Sequence, residues 1–367
     1  MTRHFLDPRL AGLVRYVPGE VPRDGRPVIK LNTNENPFPP SPAVLQALSA
    51  AGAERLNLYP DPEARGLTRA VAERFGLDTG RVVTGNGSDE LLAFCFHGFC
   101  PKGAVFADVT YGFYPVFCRM FGVPFETVPL RDDFSLNVDD YRGRRETVFL
   151  ANPNAPTGLA LALPDVRRLL EQDRDRLTVV DEAYVDFGAE SAAPLLDEYD
   201  NLLVIRTFSK SRQLAGVRLA FALGSSSLAA DLMTLKFGFN PYSVNAQALA
   251  AGEAALRDEA YFERTRREIM RNRETLQEGL KALGAEVVPS KANFVFTRPP
   301  ADAASLHRIL RERGILVRHF PDEPGRPART GAWLRVSVGT AEQVGAFLDA
   351  LRDILRDMRR GTADAAL

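Results

Sequence analysis

From about residue 43 to 255, short apolar runs alternate with helical patterns. VVT precedes GNGSDELL, VFADV precedes TYG, TVFLA precedes NPNAPTG, LTVV precedes DEAY, LLVI precedes RTFSK, and RLAFALG closes the series. This alternation predicts an open α/β fold with a mostly parallel central sheet flanked by helices. Residues 256–285 carry a long charged amphipathic pattern without proline, which predicts a connecting helix. NFVFT, a helical SLHRILRERG, ILVRHF, WLRVSV and a final helix after GTAEQ then suit a second, smaller α+β domain. The first 42 residues, from YVPGE to NTNENPFPPSP, are rich in proline and turn signals and have little apolar period. They read as an extended arm packed on the body, part of it joining the smaller domain. The expected division is therefore arm 1–42, large domain 43–255, and small C-terminal domain 256–367 with its connecting helix.

Charge and cysteine content narrow the classes of function. With 46 basic and 47 acidic residues the net charge is -1, so no broad field draws the chain to nucleic acid or to an anionic membrane. No apolar run is long enough to span a bilayer and no secretory leader pattern opens the chain, so a soluble cytoplasmic protein is expected. Cys95, Cys100 and Cys118 are an odd set without a disulfide framework. Cys95, His97 and Cys100 fall in LLAFCFHGFC, whose spacing predicts one buried helix, and core packing is favoured over metal ligation. No metal site is expected. Arginine is the usual base, and there are only six lysines: Lys30, Lys102, Lys210, Lys236, Lys281 and Lys291. A position that keeps lysine points to a need for an amine that can lose its proton, which a guanidinium cannot supply.

In open α/β sheets ligands bind outside the carboxyl ends of the strands, and several polar groups of this chain fall there. GNGSDELL places Gly85 and Gly87 in a tight turn, with the N–H groups near Ser88 and Asp89 at a helix start, which can seat a phosphate. Taken alone, a capped helix explains it as well. Asp181 follows LTVV directly, with Tyr184 three residues on; a buried acid needs a partner, and a ring nitrogen, a metal ion or a structural contact would serve. Ser209 and Lys210 follow LLVI directly, and Arg218 comes after a small-residue turn. Tyr111 in TYGFY is placed to stack on a flat ring. Arg335 in WLRVSV and Arg318 in ILVRHF are charges inside apolar runs, where each should meet an anion or a structural salt bridge.

Together KLNTNENPFPPSP, YPDPEARGL, GNGSDELL, DVTYGFY, NPNAPTG, VVDEAY, RTFSKSRQLAGVR and LRVSVGT resemble the fold-type I, class II aminotransferases, and most closely the histidinol-phosphate aminotransferase family. The resemblance covers nearly the whole chain. It implies pyridoxal 5'-phosphate as cofactor, held as an imine on Lys210, with Asp181 on the pyridine nitrogen and Tyr184 on the ring hydroxyl. It further implies that Tyr111 stacks on the ring and that Gly87, Ser88, Asp89, Ser209 and Arg218 surround the phosphate. Tyr59 of YPDP would reach that phosphate from the other subunit of a homodimer. Arg335, helped by Arg318, Tyr16 and Asn34, would hold the anionic end of the substrate. One departure is Ala155, where the family's NPNNPTG carries asparagine; Asn154 or Tyr184 alone would then meet the ring hydroxyl. The implied reaction passes an amino group from histidinol phosphate to 2-oxoglutarate, in histidine biosynthesis. An aromatic aminotransferase, a decarboxylase of a phosphorylated amino acid and an idle ligand sensor are the alternatives, the last opposed by an intact Lys210, Asp181 and Arg218.

Overall fold

In this computed structural model, the described residues are 5–10, 13, 19–20, 27–50, 56–321 and 329–364, with side chains as far as 358. A short strand β1 (Ile29–Lys30) lies in the arm. The larger sheet has seven strands: β2 (Val82–Gly85), β3 (Ala104–Ala107), β4 (Phe125–Val128), β5 (Thr147–Ala151), β6 (Thr178–Asp181), β7 (Leu202–Thr207) and β8 (Ala220–Leu223), in the order β2-β8-β7-β6-β5-β3-β4. Only β8 runs against its neighbours; the other pairings are parallel. The flanking helices are α1 (Pro42–Ala50), α2 (Arg65–Phe75), α3 (Ser88–Gly98), α4 (Tyr114–Phe121), α5 (Leu163–Glu171), α6 (Ser226–Phe239) and α7 (Ala246–Arg257).

Successive strand residues feed opposite cores, which explains why the runs are apolar throughout instead of alternating. Val82, Val148, Val180 and Val204 pack with α1, α2, α5 and α7. Val83, Phe149, Val179 and Leu203 pack with α3, α4 and α6. In the second layer Phe96 stacks on Phe149 with ring centroids 3.7 Å apart, and Cys95 and Cys118 are buried as small apolar residues. The sequence reading missed β4, an edge strand whose FETV lies between Pro124 and Pro129 and exposes its two middle residues.

Asp258 ends α7 and caps α8 (Glu259–Ala282), accepting from the Tyr261 amide at 3.2 Å. Then come β9 (Glu286–Val287), β10 (Phe294–Arg298), α9 (Ala303–Glu312), β11 (Ile315–Leu316), β12 (Arg318–His319), β13 (Leu334–Ser337) and α10 (Ala341–Asp364). An antiparallel sheet of four strands, β12-β13-β10-β9, is covered on one face by α8, α9 and α10 through Ile269, Leu306 and Phe347. The arm joins this part, because β1 pairs in parallel with β11. Apart from Leu31 in the arm and Phe187 after β6, which join the smaller core, membership passes from the larger core to the smaller between Leu256 and Ile269.

The other face of the smaller sheet carries Phe296 and Trp333, stacked with centroids 4.8 Å apart. With Phe134 edge-on to Trp333, they pack on Leu130 and on Ala107 at the end of β3. This seam holds β12 and β13 over the carboxyl ends of the parallel strands. Among the described residues no helix is long and apolar enough to cross a membrane.

Candidate active site

A cavity of about 190 Å³ opens where the two sheets meet, walled by the carboxyl ends of β5, β6 and β7, the start of α3, the arm at 32–34, and β12 and β13. Ser88, Asp89, Tyr111, Asp181, Tyr184, Ser209, Lys210, Arg218, Arg318, Arg335 and Asn34 all line it. Asn34 and Arg335, some three hundred positions apart, are thus gathered with the strand ends, a helix start and the arm into one cavity.

Asp181, the last residue of β6, is buried. Burial pushes its carboxyl up to about 6, even though it accepts hydrogen bonds from the Tyr114 hydroxyl at 3.1 Å and the Ala183 amide at 3.2 Å. A buried carboxylate at this price in desolvation is the natural partner of a cation placed in the cavity. Lys210 Nζ donates to the Thr33 carbonyl at 3.3 Å and stands 5.9 Å from the centre of the Tyr184 ring. The Lys210 carbonyl accepts from Asn36 Nδ2 at 2.8 Å, so the NTNENP stretch grips the lysine turn from outside.

Below the lysine, Arg206 bonds Asp186, and Ser211 donates to the same carboxylate at 2.5 Å. Burial alone would raise the Asp186 carboxyl, but Arg206 and Ser211 hold it below its usual range. These bonds fix the turn that carries Tyr184 to the turn that carries Lys210.

At the start of α3 an anion seat takes shape. Gly87 has φ +80, and a Cβ there would come within 2.7 Å of the Arg218 guanidinium, so glycine is what lets that arginine lie across the helix N-terminus. Asp89 holds two lining groups at once: it accepts from the Tyr111 hydroxyl at 2.8 Å and from Arg218 at 3.3 Å. Ser209 lies beside them, its hydroxyl bonded to Thr207 at 2.9 Å.

Across the cavity Arg318 and Arg335 are direct partners in the β12–β13 register. Arg335 donates to the Asn32 carbonyl at 3.0 Å and lies over the Phe294 and Phe320 rings. Like charges set opposite each other on a sheet repel. A multiply charged anion between them would turn that repulsion into attraction.

Two expected residues lie elsewhere, Asn154 and Tyr59. Asn154 is turned away from the cavity: its amide donates to the Val109 carbonyl at 2.9 Å and Thr157 at 3.0 Å, and accepts from Thr110 at 2.7 Å. It cannot substitute for the group that Ala155, which does line the cavity, lacks. Tyr59 is 80% exposed and stacked on Tyr242, outside the cavity of its own chain. Tyr16 lies outside the described residues. Conversely, sequence reasoning passed over Tyr114, Asn36, Thr33 and Ser337. Only Tyr114 had a usable signal, as a second tyrosine one helical turn after Tyr111.

The family profile described as aminotransferase class I and II matches residues 26–351. A histidinol-phosphate aminotransferase of Acetobacter pasteurianus is 51% identical over 354 residues, 96% of this chain and 98% of that one. One from Pseudomonas putida (strain W619) is 47% identical over 350 residues, 95% and 99% of the two chains. Among solved structures, the histidinol-phosphate aminotransferase of Sinorhizobium meliloti in complex with pyridoxal-5'-phosphate superposes with a TM-score of 0.84 at 25% identity, covering 96% of this chain and 99% of that one.

Proposed function

This chain belongs to the aminotransferase class I and II family, and we propose that it passes an amino group from histidinol phosphate to 2-oxoglutarate, with pyridoxal 5'-phosphate held on Lys210. The observation that carries this reading is a single cavity with an amine, a buried carboxylate and two opposed arginines on its walls. Its residues fit the cofactor. The buried Asp181 calls for a cationic ring nitrogen, and the Gly87–Arg218 cradle with the Ser88 and Asp89 amides and Ser209 suits a phosphate. Tyr111 would face the ring, and Tyr184 its hydroxyl.

When bound, pyridoxal 5'-phosphate supplies the electron sink that lets a substrate Cα give up its proton. With the cofactor bound, Lys210 Nζ would be the base that takes this proton and the acid that returns it. Asp181 would stay ionised opposite the ring nitrogen. Arg335 and Arg318 orient the anionic end, phosphate in one half-reaction and carboxylate in the other. We further read the chain as the arm 1–42, a cofactor-binding domain 43–255 and a small domain 256–367, working as a homodimer in the cytoplasm, where free cysteines persist.

The test is a half-reaction followed by absorbance with a panel of amino donors. Native enzyme should react with histidinol phosphate far better than with histidinol, phenylalanine or tyrosine. Lys210→Arg should fold, yet lack both the visible chromophore and transamination. Borohydride reduction and peptide mapping should tag Lys210. Equal reaction with histidinol or the aromatic amino acids would reduce the assignment to a broad aminotransferase, and CO2 release from a phosphorylated amino acid would replace it with a decarboxylase.

A further inference from the structure

Asn34 is buried at 1% exposure and sits in the left-handed region at φ 55, a conformation asparagine tolerates better than most side chains. Every polar group it owns is engaged. Its amide N–H donates to Ser337 Oγ at 2.9 Å, and its carbonyl accepts from Asn293 Nδ2 at 3.0 Å. Its Oδ1 pairs with Ser337 Oγ at 3.0 Å, and its Nδ2 with the Tyr184 hydroxyl at 3.0 Å. The arm, β13 and the turn after β6 meet at this one side chain.

Hydrogen bookkeeping fixes who donates. Ser337 Oγ already accepts from the Asn34 backbone, and its own hydrogen goes to Asn34 Oδ1. The opposite amide orientation would leave this buried hydroxyl hydrogen without an acceptor among the described residues, which is costly. Asn34 therefore presents Nδ2 to Tyr184, and the Tyr184 oxygen accepts. The phenol has a single hydrogen, which is then free to point only into the cavity.

Resting on the cofactor reading above, we infer that Asn34 and Ser337 are positioning residues that make Tyr184 an obligate hydrogen-bond donor to the cofactor's ring oxygen. The need for such a device is local. Ala155 brings only a methyl group to this wall, and the Asn154 amide is spent elsewhere. The ring oxygen neighbours the carbon bonded to Lys210. A hydrogen donated to it would draw off the negative charge that otherwise helps keep the lysine-linked nitrogen protonated, so that nitrogen would lose its proton at lower pH.

The holoenzyme's visible absorbance, titrated with pH, reads this directly. Asn34→Gly removes the amide while accepting the positive φ, and Ser337→Ala frees the amide to turn. Each should raise the midpoint by about one pH unit, roughly tenfold in proton affinity and the scale of one neutral hydrogen bond. Each should also weaken cofactor retention on dilution. In a Tyr184→Phe background the same substitutions should shift nothing further, since the path runs through that hydroxyl. An unchanged midpoint in both variants, or an equal shift with and without Tyr184, overturns the inference. If Asn34→Gly fails to fold, Ser337→Ala decides. A native enzyme without a chromophore reducible onto Lys210 would sink the cofactor reading itself, a different outcome from a normal chromophore indifferent to Asn34.

Discussion

Asp181 shows at the residue scale how the site trades stability for chemistry. Its carboxyl is raised from 3.8 to about 6, burial being the main cause. For an acid raised on folding, the native state holds the extra proton, so stability is greatest below pH 3.8 and falls as pH rises through 6. Two units correspond to about 3 kcal/mol forgone at neutral pH in the cofactor-free protein. Asp181→Asn should therefore remove a fall in melting temperature between pH 4 and 7 that the cofactor-free native protein shows, while abolishing transamination. Parallel pH profiles of melting temperature for the two proteins would refute the burial argument. Lysine illustrates what the sequence could and could not tell at this scale. Scarcity singled out Lys210 through its place after LLVI, yet Lys236 is more deeply buried. Burial lowers its amine, which reaches the Pro62 carbonyl at 3.3 Å and Thr84 at 3.5 Å, a structural post under the YPDP loop. Scarcity alone cannot separate the lysine that faces the cavity from the one buried under the loop.

Among the elements, the parallel strands β3, β5, β6 and β7 and their helices were legible because each run is apolar on both faces and leads into a polar motif, whereas the parallel edge strand β4, polar in its middle, was not. The motifs at those ends named most of the cavity wall. Side-chain direction was not legible. Asn154 and Ala155 are adjacent in NPNAPTG, and only the path of that loop sends one to Val109 and Thr110 and the other to the cavity. The same holds for β12 and β13. Arg318 and Arg335 could be suspected singly, but their opposition is a fact of register. That register gives a prediction for the two strands. Arg335, bonded to the arm through Asn32, should serve both half-reactions, so Arg335→Ala should lower kcat/KM for glutamate and for histidinol phosphate alike by about tenfold to a hundredfold. Arg318→Ala should affect the phosphorylated substrate more, since the second charge matters most to a dianion. Equal losses for both substrates in the Arg318 variant would remove it from phosphate recognition.

For the whole molecule, the unresolved weight lies on the surface around Tyr59. Leu56 and Leu58 are exposed beside it, and Phe239 at the end of α6 and Tyr242 beyond it are exposed as well, with Tyr59 stacked on Tyr242 at 4.4 Å. An exposed apolar cluster of this kind suits an interface. Lys236, bonded to the Pro62 carbonyl, ties the YPDP loop to the same region. If a second copy covers it about a two-fold axis, each Tyr59 is delivered to the other copy's cavity. Tyr59→Phe should then loosen the cofactor without dissociating the dimer, and sedimentation should show the active species as a dimer. A hybrid is more discriminating. In a dimer of one Lys210→Arg chain and one Tyr59→Phe chain, the intact lysine faces the intact tyrosine of its neighbour, so one complete site forms and cofactor affinity there returns to the native value. Were Tyr59 to act within its own chain, that lysine would still face phenylalanine and the hybrid would bind as weakly as Tyr59→Phe alone. Restored affinity in the hybrid supports the shared site; weak binding there, or a fully active monomer, rejects it.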